Sequence, residues 1–190
     1  TPEFILSLIS HNTKVREVVL VGRPGPKLPL VTAFCARLLK KSGFPATVTG
    51  TSNLEEGVRG ARYVVNHVRV GGMQARLRDE KLPLRLGLIG DECLGAGGFA
   101  NALRTLPVVL QIAETVERVN PDAVVINLTN PMGVVIDALN ACTRLKVIGA
   151  CDVPAVMAKR IAEILEIPAA ELTVDYLGLY QLGWIQDVKY

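Results

Sequence analysis

Cys151 and Asp152 stand side by side in "VIGACDVPAVM", where a thiolate could bind a metal and the adjacent carboxylic acid could move a proton. Asp152 followed by Pro154 also reads as a helix cap ahead of a first-turn proline, so a structural use is open to the same acid. Upstream, "INLTNPMG" brings Asn127 and Asn130 to the end of another apolar run. The two asparagines fall near Cys151 and Asp152 if the two runs are neighbouring strands. A third stretch, "VVNHVRVGGMQARLRDEKLPL" (64–84), holds Arg69, Gly71, Gly72, Arg76 and Arg78. Glycines admit close backbone approach and guanidinium forks match phosphate oxygens, so this stretch predicts an anion cradle. "GDECLGAGGFANALR" (90–104) adds a glycine-rich turn opening a helix, whose amino end attracts anions too. Singly, either stretch is equally a structural loop. Together, each near a strand end, they favour a ligand.

A dinucleotide fingerprint would be G-x-G-x-x-G after a strand, with an acid roughly 20 residues further on for the ribose hydroxyls. Neither is present. The run at 15–21 ends instead in Gly22-Arg23. This pair reads either as a plain turn around "GRPGP" or as a place where Arg23 receives a ribose 2′-phosphate.

These groups need elements to hold them. Val- and Ile-rich runs predict strands at 15–21, 63–70, 123–128, 146–151 and 172–179, with a weaker one at 46–50. Helical spacing predicts helices at 28–43, 54–60, 99–119, 132–143 and 154–166. Alternation of strand and helix implies a parallel sheet covered on both faces, with ligands at the carboxyl ends of the strands. Asn53 and Asn130 are capping-type residues before "LEEGV" and before Pro131, and Thr1-Pro2-Glu3 reads as a helix start. No strand precedes that helix, so a strand and a tight turn are expected upstream of Thr1.

The 190 residues fit one domain, and with 49% hydrophobic residues a disordered or fibrous chain is excluded. Apolar runs stop well short of the ~18 residues of a membrane span, and no signal-peptide pattern opens the chain, so a soluble cytoplasmic protein without a membrane partner is expected. Cys35, Cys93, Cys142 and Cys151 include no CxxC pair, and a disulfide framework is not expected. The net charge of +3 hides an excess of basic residues in the first half. The charges are scattered, aromatics are 5%, and no nucleic-acid motif occurs, so a small phosphorylated ligand suits the imbalance at least as well as nucleic acid.

The ordered series RVGG, DE-x-x-PL, G-x-E, G-x-GG, ALRT, TNP, C-[DN]-x-P and GL-x-x-LGW runs through the chain. In these motifs it closely resembles glycoside hydrolase family 4, the NAD- and metal-dependent 6-phospho-glucosidases. The resemblance implies an α/β, Rossmann-like fold with a mostly parallel sheet, helices on both faces and a malate-dehydrogenase-like architecture, incomplete at both ends. It implies a dinucleotide-binding part over 1–150 and the start of the catalytic region over 151–190. The implied reaction departs from the usual two-carboxylate route. NAD oxidises the sugar transiently at C3, a divalent metal, usually manganese, assists elimination of the glycosidic oxygen, and water then adds. By resemblance Cys151 is a metal ligand and Asp152 protonates the leaving group. Arg69 and Asn130 bind substrate, Arg69 through its phosphate, and Asn66 and Asn127 approach the cofactor or sugar.

Two positions depart from the family. Members read "GLNHLGW" where this chain has Gly178-Leu179-Tyr180-Gln181-Leu182-Gly183-Trp184, so Gln181 replaces a metal-binding histidine and offers a weaker ligand. Gly22 stands where the ribose acid is expected. The resemblance also implies a homo-oligomer acting on a phosphorylated glycoside. Two other readings accompany it: a catalytically silent member serving as a binding or assembly module, and a malate-dehydrogenase-like oxidoreductase.

Overall fold

The computed structural model describes residues 1–180 and 182–190, leaving Gln181 outside the described residues. The chain opens with α1 (Pro2–Ser10), whose first residue is the proline and whose N-cap is Thr1. Strand and helix then alternate: β1 (Glu17–Val21), α2 (Lys27–Ser42), β2 (Thr47–Thr51), α3 (Leu54–Val58) and β3 (Tyr63–Asn66). Two helices follow in succession, α4 (Gly72–Leu84) and α5 (Gly95–Val119). After them come β4 (Val124–Asn127), α6 (Met132–Cys142), β5 (Lys146–Gly149), α7 (Val153–Leu165), β6 (Thr173–Leu179) and β7 (Leu182–Lys189).

β1 and β2 pair in parallel, from Glu17 opposite Thr47 to Val21 opposite Thr51. A second sheet has the order β3-β4-β5. Its register advances in step, with Val124 N donating to Arg62 O and Leu128 N to Asn66 O, as parallel strands require. β6 and β7 form an antiparallel ribbon with a register shift between Asp175 and Tyr176.

The chain divides into two compact units. The first comprises Thr1–Val64, Leu110–Val124 and Cys142–Lys146. Its core gathers on Ile5, Cys35 and Leu39, with Val18, Leu20 and Val48 of the strands packed against them. Each such aliphatic side chain contributes roughly 1.5–3 kcal/mol when fully buried. Gly43 closes α2 at φ 68°, its amide donating to the carbonyls of Leu39 and Lys40. Asn53 Oδ1 accepts from Glu56 N at 3.3 Å and starts α3, as the sequence predicts. The second unit comprises Val65–Val109, Val125–Ala141 and Val147–Tyr190. It buries Val109, Val135 and Leu139 together with an unusual set of polar residues.

The predicted strands and helices recur with ends displaced by a few residues, but two elements differ from expectation. The strand expected over 63–70 stops at Asn66, and most of the stretch predicted as an anion cradle is α4, entered through Gly71 at φ 78°. Helix-favouring "QARLRDEK" carries it once a left-handed glycine has turned the chain. The second departure is β7, which folds back on the predicted strand over 172–179 and makes the last sheet antiparallel rather than parallel. Among the described residues no helix is long and apolar enough to cross a membrane.

Candidate functional site

The polar interior of the second unit centres on Glu92, in the loop between α4 and α5, which is only 4% exposed. Arg69, on the loop after β3, holds this carboxylate with both terminal guanidinium nitrogens: Nη1 on Oε2 and Nη2 at 3.4 Å from Oε1. Arg76 Nη1 of α4 lies 3.5 Å from Oε1, and Asn130 Nδ2, on the loop after β4, donates to the same oxygen at 3.3 Å. Burial pushes the Glu92 carboxyl up, but the Arg69 and Asn130 hydrogen bonds and the Arg69 and Arg76 charges outweigh it and hold it below its ordinary value.

A second ion pair supports the first. Arg104 of α5 grips Asp79 of α4 through two nitrogens, Nη1 donating to Oδ1 at 2.9 Å and Nη2 to Oδ2. Its Nε donates to Val70 O at 3.0 Å, fixing the backbone next to Arg69. Asn101 Nδ2 donates to Glu92 O at 3.0 Å and to Asn130 O at 3.2 Å, while its Oδ1 accepts from Arg104 and Thr105. No buried side-chain nitrogen or oxygen among the described residues lacks a partner.

Two glycines of the second predicted anion turn, Gly97 and Gly98, are required by packing. A Cβ on Gly97 would lie 2.2 Å from Asp91 O and 2.8 Å from Asp79 O, and one on Gly98 would lie 2.4 Å from Cys93 C and O. The Asp91 side chain covers the start of α5, its Oδ1 accepting from Cys93 N at 2.6 Å and Leu94 N at 2.9 Å. An internal carboxylate therefore sits where the sequence predicts an external anion.

The other sequence-derived residues are placed as follows. Asn66 and Asn127 are buried and bonded to one another, Asn66 Nδ2 donating to Asn127 Oδ1 at 2.8 Å, and Asn127 Nδ2 donates to Thr129 O at 3.0 Å. Asn130 precedes Pro131, and its amide nitrogen donates to Glu92. Asp152 occupies the N-cap of α7 without a side-chain cap bond, so its exposed carboxyl is not spent on the helix. Cys151 is exposed and outside any disulfide. Arg23, in the first unit, is exposed just after β1, where a Cβ on Gly22 would press to 3.2 Å from Leu28 Cδ1. Gln181 lies outside the described residues. Asp79 and Glu92 fall within the motifs DE-x-x-PL and G-x-E but received no role from the sequence; a further signal is arithmetic, since clustered arginines in an apolar segment need acids nearby.

Among the described residues no group of three His, Cys, Asp or Glu side chains could hold a metal. No acid stands at the end of β1, which runs into Gly22 and Arg23.

Parallel strands that run into helices, with polar loops gathered at their carboxyl ends, define a Rossmann-like α/β protein. A malate dehydrogenase from Plasmodium falciparum shares this fold with a TM-score of 0.67 over 96% of the chain and 52% of its own, at 15% identity. Residues 1–167 match Family 4 glycosyl hydrolase, and the chain belongs to that family. It is similar to a 6-phospho-beta-glucosidase of Escherichia coli, 37% identical over 99% of this chain and 43% of the relative. It is similar also to the 6-phospho-beta glucosidase of Thermotoga maritima solved with manganese, NAD+ and glucose-6-phosphate, at 34% identity and a TM-score of 0.84. That match covers all of this chain and 46% of the other. The chain thus spans less than half the length of these relatives.

Proposed function

We propose that this chain is the cofactor-side part of a 6-phospho-glucosidase, acting on a phosphorylated glycoside with NAD and a divalent metal as cofactors. The observation that carries the reading is the meeting of Arg69 and Asn130 on Glu92. These are the two residues that the family motifs match to substrate binding. They come from the ends of different strands, yet their side chains share one carboxylate. The relatives' names supply the substrate class.

In this reading the exposed edge of Arg69 takes the phosphate as a planar, permanently charged donor. Asn130 offers its amide beside it. Asp152 holds a proton for the departing glycosidic oxygen, a role its unspent, exposed carboxyl permits. Cys151, exposed and outside any disulfide, would supply one thiolate to the metal. The hydride and metal steps implied by the family belong to the same proposal.

The absence of a three-ligand metal cluster among the described residues, with Gln181 in the histidine position, favours a second reading: a module that binds the sugar phosphate without turning it over. One assay separates the two. The chain is incubated with 6-phospho-glucosides of both linkages, NAD, manganese and reductant, and glucose 6-phosphate release is followed beside calorimetric binding. Turnover that disappears in Asp152→Asn supports the glycosidase, and binding without turnover supports the module. Neither binding nor turnover refutes both.

A further inference from the structure

We propose that Glu92 is a positioning residue that presets Arg69 and Asn130 for a phosphorylated sugar, an inference that rests on the substrate reading above. Its side chain is 5% exposed, whereas that of Arg69 is 38% exposed. The Arg69 guanidinium is therefore anchored on Glu92 while part of its side chain stays open to solvent. Both carboxylate oxygens are engaged, Oε2 by Arg69 and Oε1 by Arg69, Arg76 and Asn130. Arg76 is held in turn by Glu80, Nε to Oε1 at 2.7 Å.

Arginine has large rotamer freedom, and a ligand that must first freeze it binds correspondingly weakly. A buried carboxylate removes that freedom in advance. It cannot be left without its cations, since an unpaired buried charge is strongly unfavourable. The backbone is fixed as well. One Asn101 amide bonds the carbonyls of Glu92 and Asn130, and Arg104 bonds that of Val70. Glu92 thus joins the loops after β3 and β4 without touching the ligand.

The test is calorimetric titration of the full chain with glucose 6-phosphate, comparing wild type, Glu92→Gln, Arg69→Ala and the double variant, with circular dichroism as the folding control. Glu92→Gln is expected to weaken binding roughly ten- to a hundredfold, the span of one charged hydrogen bond. Because much of the effect of Glu92 passes through Arg69, the loss in the double variant is expected to be smaller than the sum of the two single losses. Wild-type affinity in Glu92→Gln, or losses that add in the double variant, would overturn the positioning role and leave the substrate reading standing. Absence of binding by the wild type overturns both. If Glu92→Gln does not fold, Glu92→Asp carries the test, since it keeps the charge and shortens the reach. Wild-type affinity there likewise overturns the role.

Discussion

Replacing Gly97 by alanine separates two uses of a glycine-rich helix start. In an ordinary helix interior Gly→Ala stabilises by about 1 kcal/mol. Gly97 lies within α5, so a glycine kept only for ligand approach would show that gain. The structure sets a different expectation. The new Cβ would stand 2.2 Å from Asp91 O and 2.8 Å from Asp79 O, both backbone atoms that cannot swing aside as a side-chain tip would. Forcing a methyl group into such a contact costs about 1–3 kcal/mol. It acts on the segment carrying Glu92 and on the helix carrying Asp79, so we place the cost at the upper end and the net loss at about 1–2 kcal/mol after the propensity gain is subtracted. At a urea slope of about 2 kcal/mol per molar, the midpoint falls by about 0.5–1 M. The assay is urea unfolding of the ligand-free chain followed by far-ultraviolet circular dichroism. Gly95→Ala is a useful companion, since Gly95 has open space but a φ of 59°, so its loss arises from backbone strain alone. A Gly97→Ala chain as stable as the parent, or more stable, would refute the packing argument.

Three other outcomes follow from the polar interior and the thiols. Asp79→Asn leaves the Arg104 guanidinium without its carboxylate and is expected to cost about 3 kcal/mol, read as a melting temperature lower by roughly 6–12 °C; an unchanged melt would show the pair to be dispensable. The Glu92 carboxyl, lowered in the folded chain, favours folding while ionised. Its contribution is complete above the unfolded value of about 4.3 and is lost as pH falls through the lower folded value, so urea midpoints should drop across this acid range less steeply in Glu92→Gln than in wild type. Cys142 and Cys151 are exposed whereas Cys35 and Cys93 are buried, and burial pushes the Cys35 thiol up. Brief alkylation at neutral pH followed by peptide mass mapping should therefore mark Cys142 and Cys151 first, and early labelling of Cys35 would contradict its burial.

Local chemistry made most elements legible in advance. Asn53 announces α3 because its side chain bonds within three residues. The helix α4 escaped notice because two glycines open it, Pro83 lies near its end, and charges interrupt its apolar spacing. β7 was hidden for another reason: an antiparallel return depends on a partner strand rather than on the run itself. In the site, the arginines were visible as types, and their acids only as members of motifs without a role. The G-x-E motif marks Glu92 but not its burial, which is set by Arg69, 23 residues earlier, and Asn130, 38 residues later. The same gap explains Asn130, whose amide nitrogen serves the distant carboxylate.

The bond between Asn66 and Asn127 spans 61 residues and is buried at both ends. During synthesis Asn66 emerges long before its partner exists. Until then its amide is satisfied by water, and packing it away would forfeit that bond. The interior around β3 and β4 can therefore dry only after residue 127 has left the ribosome, and an intermediate stopped earlier keeps this seam wet. Timing, as well as geometry, is written into that pair of asparagines.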